Sequence, residues 1–167
     1  DLRGSKSDIW EGGHRVPFLV RWPGVTKPGG RSEQTICQVD LMATCAEMLG
    51  AKLPDNAGED SVSLLPLLKG ADRIVPREAV VHHSINGSFA IRQGDWKLAF
   101  CADSGGWSAP EPGSAAAKAL PAGQLYNLKT DIGETKNLYA EHPDTVASLT
   151  KLMQQTITAG RSTPGAN

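Results

Sequence analysis

Lys6 stands five residues before Glu11 in the stretch "GSKSDIWEGGHRVPFLVRWPG", and the pair Gly12-Gly13 and then Arg15 follow. A lysine ammonium is a compact point charge suited to an anionic group such as sulfate or phosphate, provided its position is fixed. Adjacent glycines let the backbone take left-handed angles or approach another segment closely. Glu11 and Arg15 carry opposite charges on either side of that turn and would pair, or bond the loop backbone. Such a turn holds its neighbours still. By charge and spacing alone, Lys6 is either an ordinary solvated side chain or a fixed charge for an anion.

The elements around these residues follow from hydrophobic period and breakers. "RVPFLVRW" is rich in branched and aromatic residues and predicts a strand entering the core, stopped by Pro23 and Gly24. From Asp40, "DLMATCAEMLG" places Leu41, Cys45, Met48 and Leu49 on one helical face, with Asp40 as N-cap and Gly50 as stop. "SVSLLPLLKG" predicts a short helix interrupted or started by Pro66 and closed by Gly70. "EAVVHHS" is strand-like, and "FAIRQGDWKLAF" predicts a hairpin about Gln-Gly-Asp. Adjacent His82 and His83 in that first strand point to opposite faces, one packed and one exposed. Residues 102–123, rich in Ser, Gly, Ala and Pro, predict a long surface loop, and "QLYNL" one more strand. Val146, Leu149, Met153 and Ile157 stand at helical spacing between Pro143 and Gly160, predicting a terminal helix packed on the sheet.

At 167 residues and 40% hydrophobic content the chain is long enough for one domain with a real core. Its 17 basic and 18 acidic residues give a formal charge of -1, which provides no field of the kind that draws nucleic acid. The longest apolar runs, "VPFLV" and "SLLPLL", fall short of the roughly 20 residues that span a bilayer, so no membrane partner is expected. Cys37, Cys45 and Cys101 are an odd count without CxxC spacing and read as buried free thiols. No metal site is expected, since no cluster of oxygen ligands converges.

The pattern K-x-x-x-x-E-G-G-x-R-x-P followed by W-P-G resembles a segment of the formylglycine-dependent sulfatases, the arylsulfatase-like group of the alkaline-phosphatase-like superfamily. "QVDLMATCAEMLGAKLP", "DSVSLLPLLKG" and "SFAIRQGDWKLAF" resemble further segments of that family, and "QLYNLKTDIGETKNL" resembles its LYDL-x-x-D-P-x-E-x-x-N-L box, with Ile132 where proline is usual. The resemblance implies an α/β fold (an α+β fragment): residues 1–75 would be the end of the sulfatase catalytic domain, and residues 76–167 a subdomain with a small antiparallel sheet and a packed terminal helix. It makes Lys6 the sulfate-binding lysine, stabilising charge on the leaving sulfate, with Glu11, Gly12, Gly13 and Arg15 as its scaffold. His82, His83 and Trp107 become candidates for gripping the organic part of the substrate, as does His14, with Trp107 stacking on a sugar or aryl ring.

None of the three cysteines begins the C/S-x-P/A-x-R motif that becomes formylglycine, and the paired metal carboxylates are expected before residue 1. The full-length enzyme would use calcium or magnesium and formylglycine, while this chain would bind no catalytic metal and alone be inactive. Its implied substrate is an aryl or carbohydrate sulfate ester, its implied location periplasmic or secreted. A strand at 16–22 taken out of a larger sheet would leave a bare edge, through which a homodimer is possible. Two other readings stay open: a related phosphodiesterase or phosphonate hydrolase, and a non-catalytic module or remnant that binds sulfated glycans.

Overall fold

A computed structural model of the chain describes residues 1–71 and 77–164. The elements are α1 (Glu11–His14), α2 (Asp40–Met48), α3 (Leu65–Leu68), β1 (Val80–His83), β2 (Phe89–Gln93), β3 (Trp96–Ala99), α4 (Ala115–Lys118), β4 (Gln124–Asn127) and α5 (Pro143–Ala159). The fold is α/β, a small antiparallel sheet flanked by helices, and the chain divides into two compact units.

The first unit joins Asp1–Pro17 to Val81–Gln154. Its sheet runs in the order β1-β2-β3-β4. Gln93 pairs with Trp96, so Gly94 and Asp95 form a two-residue hairpin loop, and Gly94 supplies the positive φ of 56° that such a tight connection needs. Alternation then sorts the two faces. Ile91, Leu98 and Leu125 lie side by side in register on one face, all buried. The helix α5 borders that face, where Gln93 and Trp96 line a cleft with Asp144, Ser148 and Leu149. The opposite face carries Ala90, Arg92, Lys97, Ala99, Gln124 and Tyr126. The N-terminal segment covers it, with Ile9 and Trp10 in one buried cluster with Ala90, Ala99, Tyr126 and Leu128.

The second unit holds Phe18–Val80 and Gln155–Asn167. Its helix α2 packs the reverse of what its sequence predicts: Leu41, Cys45, Met48 and Leu49 are exposed, Leu49 at 82%, while Asp40 and Thr44 are buried. The reason is hydrogen bonding. Asp40 accepts from the amides of Cys37 (2.7 Å) and Val62 (3.0 Å) and pairs with Arg77. The Thr44 hydroxyl donates to the Asp40 carbonyl (2.6 Å) and accepts from the Leu64 amide (2.9 Å). The polar side thus satisfies the neighbouring segment's backbone, a stronger demand than covering the apolar side.

Three further expectations change. Residues 15–22 form no strand: no ladder partner exists among the described residues, Pro17 lacks a donor, and Val16, Phe18, Leu19 and Val20 stay exposed. The cysteines are free, but Cys45 is exposed and Cys37 and Cys101 only half-buried. The 102–123 segment is no plain surface loop: Ser104 is fully buried and α4 interrupts it, with the Ser114 hydroxyl capping α4 by accepting from the Ala117 amide. In α5, Leu149 and Met153 are buried as the spacing predicts, whereas Ile157 is exposed.

Candidate functional site

Lys6 is presented on the turn Ser5–Asp8, closed by the Asp8 amide donating to the Ser5 carbonyl (3.0 Å) and the Ser5 amide donating to Asp8 Oδ2 (2.8 Å). The next residue, Ser7, has a φ of 95°, a conformation a non-glycine residue keeps only when its surroundings hold it. Its carbonyl is held by the Ile85 amide (2.9 Å). Lys6 itself is exposed and makes no ion pair or hydrogen bond among the described residues. Asp8, by contrast, is buried: Oδ1 accepts from the amides of Trp107 (2.9 Å) and Ser108 (3.2 Å), and Oδ2 also accepts from the Ser108 hydroxyl (2.5 Å). Burial alone would raise its pKa, but the Ser108 hydroxyl and these amides outweigh that and hold it below the usual carboxylate value.

Beneath the turn lies a buried charge network. Lys97, fully buried in β3, reaches Glu11 Oε1 at 3.2 Å and Glu134 Oε1 at 2.8 Å. The Glu134 contact is an ion pair whose approach is off the hydrogen-bond direction. Glu134 Oε2 accepts the Glu11 amide at 2.6 Å. Arg15 (3.4 Å) and Arg92 (3.8 Å) approach Glu11 Oε2 from the rim. Arg15 therefore does face Glu11, but the fully buried partner is Lys97. Burial pushes the Glu134 pKa up against the pull of Lys97. Arg3 stacks on the Trp10 ring at 3.7 Å and donates to the Tyr126 hydroxyl (3.1 Å) and the Glu134 carbonyl (2.9 Å). Neither Gly12 nor Gly13 has a positive φ. What they supply is close approach, since a Cβ on Gly12 would lie 2.4 Å from the Gly4 carbonyl oxygen and one on Gly13 2.1 Å from that of Asp8.

The histidines separate. His82 turns inward, its ring centroid 3.7 Å from that of His14 and its Nε2 3.3 Å from the Ile9 carbonyl, while Lys97 Nζ lies 3.1 Å from His14 Nε2. Burial, reinforced for His14 by Lys97 and for His82 by His14 and Lys97, lowers both imidazoles to about 3, so both are neutral near pH 7. His83 is exposed, its ring edge-on to Phe89 at 5.9 Å. Trp107 is 63% exposed and, through Asp8, tied to the Lys6 turn. The structure therefore ties the backbone segments that carry Lys6 and Trp107 through Asp8, packs Gly12 and Gly13 against residues 3–8, pairs Arg15 with Glu11, and turns His14 and His82 into the network. Sequence reasoning missed Asp8, Lys97 and Glu134. Lys97 left a signal, because it shares strand parity with Ala99 and opposes Leu98. Among the described residues, no group of three or more His, Cys, Asp or Glu side chains is placed to hold a metal ion.

Residues 5–108 match the C-terminal family of N-sulphoglucosamine sulphohydrolase. The chain is 34% identical over 155 residues to an N-acetylgalactosamine-6-O-sulfatase of Bacteroides thetaiotaomicron, covering 91% of this chain and 29% of that protein. It is 35% identical over 147 residues to human arylsulfatase A, covering 82% of this chain and 28% of that protein. A solved structure from work on glycosaminoglycan metabolism by Bacteroides thetaiotaomicron superposes with a TM-score of 0.78 at 33% identity, over 94% of this chain and 32% of the other. A Pseudoalteromonas sulfatase superposes with a TM-score of 0.73 at 22% identity, over 99% of this chain and 34% of the other, which speaks to the fold alone. The chain thus spans under a third of the length of these two curated relatives.

Proposed function

The chain belongs to the formylglycine-dependent sulfatase family, and on that premise we propose that it forms one wall of a sulfate ester hydrolase site in which Lys6 binds the sulfate. The observation that carries this reading is an unpaired, exposed ammonium on a turn whose every neighbour is pinned: Asp8 by four donors, Ser7 by Ile85, Gly12 and Gly13 by backbone contact. A lysine whose backbone is held before the reaction has only its side chain left to settle on the sulfate, where the ammonium stabilises developing negative charge. Glu11, Gly12, Gly13 and Arg15 serve as its scaffold, and we assign to the organic part of a substrate the exposed Trp107, tied through Asp8 to the Lys6 turn, and the exposed His83.

The calcium or magnesium ion and the formylglycine that the family implies do not fit the residues present here. The buried carboxylates of the first unit are occupied, Asp8 by hydrogen bonds and Glu11 and Glu134 by Lys97, and no cysteine lies in the modification motif. We assign both groups to the remainder of a longer enzyme, in which residues 1–75 close the catalytic domain and 76–167 form the C-terminal subdomain. There the exposed apolar segment at 15–22 would find its strand partner; a second copy of the chain is the other candidate, giving a homodimer. Export to the periplasm or medium is the location we propose, testable by cell fractionation.

In the full-length polypeptide, Lys6→Ala should lower kcat for a sulfate ester by roughly 100- to 1000-fold, the cost of losing one preorganised charge-stabilising group, with an unchanged circular dichroism spectrum. Unchanged kcat and KM would overturn the role of Lys6. Faster hydrolysis of a phosphodiester than of an aryl sulfate by the parent would favour the phosphodiesterase reading, and binding of sulfated glycan without turnover the non-catalytic one.

A further inference from the structure

An exposed tryptophan is unremarkable on its own, but the ring of Trp107 stands on a loop that is fixed from three sides. The Gln124 side-chain amide donates to the carbonyls of Cys101 (2.9 Å) and Asp103 (2.8 Å), and the Ile9 amide donates to the Ser104 carbonyl (2.8 Å). On the third side is Asp8. One of its oxygens takes the amides of Trp107 and Ser108, the other the amide of Ser5 and the hydroxyl of Ser108, so a single carboxylate ties the turn that carries Lys6 to the segment that carries Trp107. The two segments also touch directly: a Cβ on Gly106 would lie 2.5 Å from Asp8 Oδ1 and 2.7 Å from the Ser7 carbonyl oxygen. Lys6 and Trp107 are thus each one residue removed from a backbone contact that only glycine permits. The rim is polar. Asn86 is exposed, its amide hydrogen-bonds the Gly105 carbonyl at 3.4 Å, and its side-chain oxygen is occupied by Ser84 and Ser88, while its side-chain nitrogen has no partner among the described residues.

We propose that Asp8 is a positioning residue that locks Trp107 beside Lys6, so that the site selects the sulfate ester of a carbohydrate, with the lysine on the sulfate, the indole stacked on the sugar ring and the Asn86 amide donating to a ring hydroxyl. This rests on the reading of Lys6 as the sulfate-binding group. A flat apolar ring next to a spare hydrogen-bond donor suits a pyranose, which presents a face of C–H groups edged by hydroxyls. Removing the buried carboxylate would free the loop from the turn, and the two recognition elements would no longer hold one geometry.

The test is made in the full-length enzyme with three probes: a sulfated monosaccharide as substrate, an aryl sulfate as substrate, and inorganic sulfate as competitive inhibitor. Trp107→Ala is expected to raise KM for the sulfated sugar about tenfold and to leave the inhibition constant for inorganic sulfate unchanged; Trp107→Phe should restore most of the loss. Asp8→Ala should raise the same KM at least to that extent and, because Asp8 also closes the Lys6 turn, weaken inhibition by inorganic sulfate as well; once Asp8 is gone, adding Trp107→Ala should raise the KM for the sugar little further, because the ring is already unlocked. Should Asp8→Ala not fold, Asp8→Asn, which keeps one acceptor oxygen, carries the comparison with a smaller rise. An unmoved KM for the sugar in Trp107→Ala, or additive effects in the double variant, overturns the proposal. An equal rise for the aryl sulfate overturns the carbohydrate assignment. Lys6→Ala separates the premise: if it leaves the inorganic sulfate constant unchanged, the reading of Lys6 itself fails, whatever Trp107 does.

Discussion

Lys97 has no exposed surface, yet it carries a charge between two carboxylates and beside an imidazole. Its aliphatic stem belongs to the sheet, and its ammonium is what allows Glu11 and Glu134 to stay buried close together. Removing one partner from such a buried group leaves uncompensated charge, which costs far more than the pair contributes over an apolar substitute. Lys97→Met should therefore lower unfolding free energy by about 3–5 kcal/mol, read by urea denaturation, even though methionine fills nearly the same volume. A loss under about 1 kcal/mol, within the range of a surface pair, would show that the network is solvated and does not anchor the turn. Glu11 meets Lys97 86 residues later and Glu134 123 residues later along the chain. Distances of that kind leave no local periodicity, so Glu11 is legible only as part of a charged turn, and its buried partners are not.

At the scale of elements, what could be read depended on whether an element completes itself. The hairpin of β2 and β3 does: two alternating runs meet at Gly94-Asp95, and its register follows from that turn. The 15–22 segment has a strand's composition, but a strand is finished by a neighbour that its own residues do not encode. In α2 the period is helical and the helix forms, yet the buried side is chosen by Asp40 and Thr44, which serve backbone amides 22 and 20 residues away rather than apolar contacts. This fixes the sign of a comparison. Thr44→Val, nearly the same shape, should destabilise this chain by about 1–3 kcal/mol because the Leu64 amide loses its acceptor in a buried place. Leu49→Ser, on the exposed side, should stay within about 0.5 kcal/mol. The opposite order in thermal denaturation would restore the apolar face as the packing face.

For the whole molecule, the depressed imidazoles couple stability to pH. His14 and His82 fall from an ordinary value of 6.5 to about 3 in the folded chain. Between those values the unfolded chain binds protons that the folded chain refuses, so stability is full above about pH 6.5 and falls as the pH drops towards 3, by at most about 1.4 kcal/mol per pH unit for each imidazole. Asp8 and Asp131, whose pKa values are lowered, add to the loss only at the acid end of that window. The melting temperature should thus decline steadily between pH 6.5 and 4, and less steeply in His82→Gln; a flat profile across that range would mean that the imidazoles are solvated. The central claim, that Lys6 is a prearranged sulfate contact, is tested most directly by a crystal structure of the full-length protein soaked with a sulfate ester or its product. We predict Lys6 Nζ at about 2.8 Å from a sulfate oxygen, a charge-assisted hydrogen bond, on a Ser5–Asp8 turn with the conformation described above. Sulfate bound elsewhere, with Lys6 left in solvent, would contradict the account.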